Sequence, residues 1–171
     1  NHSVKDSAAL SRVLHCIGDM ERISDHAVNI AESAEEMHQK NLAFSAEGAR
    51  EIATFADAVR EILRLSLESF IKEDMDEAVL VEPLEEVVDD LRDELKKRHV
   101  NRLREGKCTI ELGFVLSDLT TNFERVADHC SNIAACLIQT GEHDFEMHKY
   151  IHMLAKGEDT PFHARYTEYQ K

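Results

Sequence analysis

Apolar residues recur at alternating spacings of four and three over residues 112–137, which is the pattern of one buried seam on a long helix. The same pattern occurs 103 residues earlier, so each seam position has an apolar counterpart. The later seam is Leu112, Leu116, Leu119, Phe123, Val126, Cys130, Ile133 and Leu137, and the earlier one is Ala9, Val13, Cys16, Met20, Ile23, Ala27, Ile30 and Ala34. The pattern predicts two equivalent long helices, related by a pseudo-twofold axis in an antiparallel bundle.

Two further helices are predicted between these segments. Apolar residues at helical spacing indicate one helix from about Ser45 to Lys72, with Ser45 and Glu47 as capping candidates. Leu84 begins a second helical run, with Pro83 in its first turn or at a kink and Gly106 beyond its end. Four long helices favour an all-α antiparallel bundle.

The composition agrees with this fold class and limits the kinds of partner that the protein can bind. Six Gly and two Pro in 171 residues leave few turns, and four cysteines without a C-x-x-C pair favour reduced core thiols in a reducing compartment. With 20 basic against 34 acidic residues, the net charge of −14 opposes binding to nucleic acid and favours cationic partners. The longest uncharged stretch, 130–141, is shorter than the roughly 18 residues that span a bilayer.

The two long helices also share polar residues that lie off the seam. Glu21 with Asp25, and Glu124 with Asp128, place like charges one turn apart, which costs an isolated helix roughly 0.2–0.5 kcal/mol per pair. Two compensations stay open: a hard cation such as Fe, Mn, Mg or Ca, or an Arg or Lys from a neighbouring helix. The acidic run EPLEEVVDDLRDEL would complete a multi-carboxylate site through Glu85 and Asp89, or would form a solvated face.

The remaining chemistry is sparse. His26 and His129 flank the seam, where they would form an interhelix hydrogen bond or ligate a metal. Glu35-x-x-His38 is a single E-x-x-H string, whereas a ferritin-like di-iron bundle needs two. There is no Gly-rich phosphate loop and no H-E-x-x-H motif. We therefore do not expect an enzyme.

The two copies, DMERISDHAVNIAE at 19–32 and NFERVADHCSNIAA at 122–135, closely resemble the signature helix of the PhoU family. In that family, tandem three-helix repeats each end in such a helix. The resemblance implies a second repeat over 44–140, with helices at 44–72, 77–103 and 107–140. Of the first repeat only the signature helix, 1–38, is present, and 141–171 follow as a tail with a short helix.

The chain is most similar to the cytoplasmic C-terminal PhoU-like region of bacterial sodium/phosphate cotransporters. This similarity implies regulation of phosphate uptake, multinuclear iron or zinc, attachment to a transmembrane transporter portion of the same polypeptide, and a possible homodimer. The missing Met, the truncated first repeat and the resemblance together predict several apolar stretches of about 20 residues each upstream of Asn1. The metal ligands it implies are Glu85, Asp89, Glu124 and Asp128, with Glu21 and Asp25 lacking their partner helix; Ser24 and Ala127 replace the family's glycine. The alternative is a structural or dimerising bundle whose acidic faces pair with Arg and Lys.

Overall fold

The structure, a computed structural model, describes the backbone of residues 2–139 and the side chains of residue 7 and residues 10–139. Within that range the chain forms helices and no strand. The helices are α1 (His2–Gln39), α2 (Ala46–Lys72), α3 (Met75–Ala78), α4 (Val81–Arg104) and α5 (Ile110–Gln139). The prediction of an all-α bundle of four long helices is confirmed, while the predicted tail lies outside the described residues.

Local signals set the boundaries of α2. The Oγ of Ser45 accepts a hydrogen bond from the Gly48 amide at 3.1 Å, which caps one of the free N–H groups of the first turn. The helix ends at Lys72, because the next residue, Glu73, has a φ of 52° and lies in the left-handed region that stops a helix. The predicted cap and the predicted last residue, Lys72, are both confirmed.

The segment after α2 differs from the single helix predicted over 77–103. Asp74 caps the separate short helix α3 by accepting hydrogen bonds from the amides of Asp76 and Glu77. The longer helix α4 then begins at Val81, with Pro83 in its first turn, where a missing N–H leaves no helix bond unmade. The start at residue 77, which the resemblance implied, was wrong because Asp74 caps a separate short helix before α4; the placement of Pro83 in the first turn, predicted from the apolar spacing, is confirmed.

The apolar core lies between α2, α4 and α5. Its residues that are less than 2% exposed include Phe55, Ile62, Val87, Val88 and Ile133. Phe55 meets Phe123 edge to face, with ring centroids 5.6 Å apart, and the buried Ser66 hydroxyl donates to the Cys130 carbonyl at 3.0 Å. The α5 seam predicted from sequence is buried throughout, apart from the half-buried Phe123.

Helix α1 packs mainly along α5, and its seam is only partly buried. Val13 is 44% exposed, whereas its counterpart in the other copy, Leu116, is 3% exposed. The difference arises because α2 and α4 cover α5, while no helix within residues 2–139 covers the same face of α1. No helix within this range is long and apolar enough to cross a bilayer.

Candidate functional site between α4 and α5

One face of α4 carries Glu85, Asp89 and Arg92, because spacings of four and three return a helix to the same side. Glu124 and Asp128 lie one turn apart on the adjoining face of α5. The two faces interact: Glu85 hydrogen-bonds Asp128, and the charges of Glu124 and Asp128 act on Asp89. The structure thus brings together the four second-repeat carboxylates named from the sequence.

Arg92 lies among these carboxylates and neutralises part of their charge. Its Nη1 forms an ion pair with Glu124 and lies 3.6 Å from Asp89 Oδ1, while Nη2 lies 3.1 Å from Asp93 Oδ1. The Arg92 side chain is 19% exposed, so its charge is held close to the cluster rather than in open solvent. This residue supplies the neighbouring-helix cation that was one of the two compensations expected.

Glu85 and Asp128 form a carboxyl pair beside this arginine. The pKa of Glu85 is raised to about 8, mainly by burial; the hydrogen bond with Asp128 acts in the same direction, while the Ser131 hydroxyl opposes the shift. Burial likewise raises the pKa of Asp89, against the effect of Arg92. The raised pKa favours the protonated form of Glu85 at neutral pH, and its O–H can then donate a hydrogen bond to Asp128.

The carboxylate oxygens of this cluster suit a hard cation as ligands, but their arrangement in the structure is not that of a metal site. Arg92 contacts Glu124 and Asp89, which leaves Glu85 and Asp128 as a two-carboxyl pair. Within residues 2–139, no group of three or more His, Cys, Asp or Glu converges closely enough to bind a metal ion. A metal would need both the release of Arg92 and a closer approach of the carboxylates.

Glu21 and Asp25 lie apart from the cluster. Both side chains are exposed on α1, and neither forms a hydrogen bond or an ion pair within the described range. No acidic helix faces them there, in contrast to the way α4 faces Glu124 and Asp128. The structure therefore does not join the first-repeat pair to the other four carboxylates.

The motif histidines form reciprocal contacts between α1 and α5. His26 Nδ1 lies 3.0 Å from Asn122 Oδ1, and His129 Nδ1 lies 3.0 Å from Asp19 Oδ1. Their rings stack with centroids 5.5 Å apart and an interplanar angle of 19°. Because Asp19 and Asn122 are themselves equivalent positions of the repeat, one pseudo-twofold axis relates both contacts. These contacts fit the predicted antiparallel, pseudo-twofold relation of the two helices, although the seam of α1 is more exposed than that of α5.

Sequence reasoning missed several of these partners for different reasons. Asp19 and Asn122 open the two motif copies, so the repeat itself carried a signal for a shared polar role there. Arg92 carried no such signal, because one arginine within an acidic run resembles any surface ion pair. The buried ion pair between Arg102 and Glu51, with Nη1 and Oε2 2.6 Å apart, joins residues 51 positions apart, and no pattern in the sequence predicts it.

Comparison with known protein families identifies a match for this sequence. A family model described as "PhoU domain" matches residues 1–34 and 52–137. The matched segments contain both motif copies and most of α2, α4 and α5. The chain belongs to the PhoU family. The first matched segment of this PhoU chain corresponds to α1, and the second to the three-helix unit that holds the acidic cluster.

Curated PhoU relatives resemble the chain over most of its length. It is 26% identical over 162 residues to the phosphate-specific transport system accessory protein PhoU homolog 1 of Thermotoga maritima, covering 94% of this chain and 69% of the relative. It is 29% identical over 130 residues to a PhoU homolog of Synechocystis, covering 76% of this chain and 56% of the relative. A Deinococcus radiodurans homolog is 24% identical over 130 residues, with 76% and 60% covered. The chain thus spans between about half and two thirds of their lengths. No solved structure matches it.

Proposed function

We propose that this chain is a PhoU-type regulatory module of phosphate transport and that it does not catalyse a reaction. The family match supports the module, and the names of the relatives, accessory proteins of a phosphate-specific transport system, support the process. The proposal is tested by measuring phosphate uptake in cells that express the natural protein with and without residues 1–171. Loss of the response of uptake to phosphate supply, with uptake itself retained, is expected; an unchanged response would contradict the proposal.

We further propose attachment to the transmembrane portion of a sodium-dependent phosphate transporter, on the cytoplasmic side of the membrane. The exposed seam of α1 supports a further helical layer: Ala27 and Ala34 are exposed, whereas their counterparts Cys130 and Leu137 are 0% and 8% exposed under α2 and α4. Two helices equivalent to α2 and α4, supplied by the same polypeptide, would cover this face. The coding sequence upstream of Asn1 tests both points: it should encode the two covering helices and, before them, several apolar stretches of about 20 residues each. A coding sequence without apolar stretches would contradict the attachment. A second copy of the chain is the alternative partner for the exposed face of α1.

We propose that the acidic cluster responds to a divalent cation, with iron or zinc favoured by the resemblance and Mn, Mg or Ca as further candidates. The Glu85–Asp128 pair carries this proposal, because two carboxyl groups held together must retain a proton unless a cation takes its place. Arg92 would release Glu124 and Asp89 as the cation binds. The alternative, a structural bundle whose acids stay paired, is favoured by the Arg92 contacts.

Thermal unfolding with and without each metal separates these two possibilities. Binding to the folded state should stabilise the parent by about 2.7 kcal/mol when free metal is about 100 times its dissociation constant. Asp128→Asn should lose this gain. The matched control is Asp57→Asn, which removes an exposed carboxylate from the distant Arg60 pair and should keep the gain. No metal-dependent shift in the parent, or an equal shift in Asp128→Asn, would leave the paired structural bundle as the better description.

A further inference from the structure

A thiol and an imidazole meet at the connection between α4 and α5. The Sγ of Cys108 lies 3.5 Å from His99 Nδ1 and 4.0 Å from Nε2. Cys108 is half-buried and precedes the first residue of α5 by two positions, whereas His99 is only 6% exposed. The pair therefore combines a reachable sulfur with a ring held inside the fold.

The position of His99 is built into the packing of three helices. A Cβ atom at Gly113 of α5 would lie 2.9 Å from His99 Nε2, so the ring fits only because residue 113 has no side chain. Burial lowers the pKa of His99, the nearby Arg102 lowers it further, and Glu51 of α2 opposes both. The lowered pKa favours the neutral imidazole, which has a lone pair that can accept a proton.

The other three cysteines lack this combination. Cys16 and Cys130 are 1% and 0% exposed, and burial raises the pKa of each thiol to about 12. Cys136 is half-buried and hydrogen-bonds the Cys16 thiol rather than a base. The Cys108 thiol has one competing acceptor, the Thr109 carbonyl at 3.6 Å, which cannot take the proton away.

We propose that Cys108 is the reactive thiol of this protein and that it forms mixed disulfides with small disulfide compounds, with His99 as the base. His99 takes the S–H proton, and the Cys108 thiolate attacks one sulfur of the compound RS–SR. A Cys108 S–SR bond forms while the RS–SR bond breaks. The leaving RS⁻ takes the proton from the imidazolium, so the Cys108 sulfur is oxidised to a disulfide and one RS group of the compound is reduced and released as RSH.

Reaction of the folded protein with dithiodipyridine, followed by digestion and mass mapping, tests the proposal. Cys108 should react first, at least about tenfold faster than Cys136, because base assistance typically contributes about 10² or more. Cys108 should also react faster in the folded protein than in the urea-unfolded chain at the same pH. Faster labelling of Cys136, or faster labelling of Cys108 after unfolding, would overturn the proposal without any variant.

Two histidine variants test whether His99 acts as the base for Cys108. His99→Gln should slow the labelling of Cys108 at pH 7 by at least about tenfold and remove the dependence of its rate on imidazole protonation, while Cys136 keeps its rate. The matched control is His15→Gln, which changes an exposed histidine lining the same surface cavity as Cys136 and should leave Cys108 unaffected. If His99 only shielded the sulfur, its replacement would speed labelling, and that result would refute a base.

Discussion

Replacing Glu85 by glutamine tests the carboxyl pair at the candidate site. Glutamine has the shape of a protonated glutamate and can donate its side-chain N–H to Asp128, but it cannot ionise. The folded state of the parent holds the Glu85 proton at pH values where the unfolded chain has lost it, since its pKa is about 8 rather than the usual 4.5. The stability of the parent should therefore fall as pH rises from about 4.5 to about 8, and the Glu85→Gln variant should be spared this loss.

The size of the effect follows from the same difference. At about 1.36 kcal/mol per pH unit, raising a pKa from 4.5 to about 8 corresponds to at most about 5 kcal/mol. The Glu85 side chain is only partly buried, so solvent screening reduces this figure, and we expect about 1–3 kcal/mol. Glu86 and Asp89, whose pKa values are also raised by burial, are present in both proteins, so the comparison removes their own titration and leaves that of Glu85 with its interaction with Asp89.

Urea unfolding of the parent and the variant at pH 5 and pH 8, in the presence of chelator, measures this quantity. The two proteins should have nearly equal free energies of unfolding at pH 5, and the variant should be more stable by about 1–3 kcal/mol at pH 8. Glu82→Gln, an exposed carboxylate one turn earlier on α4, serves as the matched control and should show no such pH-dependent gain. Equal stabilities of parent and Glu85→Gln at both pH values would show that the pair does not hold a proton.

Two further substitutions test how the helices meet. Gly113→Ala should lower the free energy of unfolding by about 1–3 kcal/mol, because the new methyl group would meet the buried His99 ring. This loss should outweigh the better helix propensity of alanine. Thermal unfolding measures the change, and a stabilised variant would contradict the tight fit. Asp19→Asn should lower the free energy of unfolding by less than about 1 kcal/mol, since Asn122 fills the equivalent position in the other copy. Asp19→Ala should lower it by about 1–3 kcal/mol, because the His129 ring loses its hydrogen-bond partner. Equal losses for the two variants in urea unfolding would argue against the reciprocal contacts.

Much of the fold was predictable because its causes are local or repeated. Helical spacing of apolar residues marked α5, and the Ser45 hydroxyl caps a helix whose first turn lies within three residues of it. The repeat at an interval of 103 residues implied that α1 and α5 are equivalent, and their antiparallel contacts through His26 and His129 bear this out. The same repeat placed Glu124 and Asp128 on one helix face.

Which charges meet was decided only by tertiary structure. The sequence by itself determined that acids would crowd the faces of α4 and α5; it favoured an Arg or Lys as their partner and left a metal cation open as the alternative. Packing then placed Arg92 against Glu124 and left Glu85 beside Asp128, because the rotation of α4 against α5 selects the side chains that share an interface. The contact of Cys108 with His99 likewise depends on how α5 approaches α4 at Gly113. Spacing along one helix fixes which residues share a face, but the partner of that face is set by long-range packing.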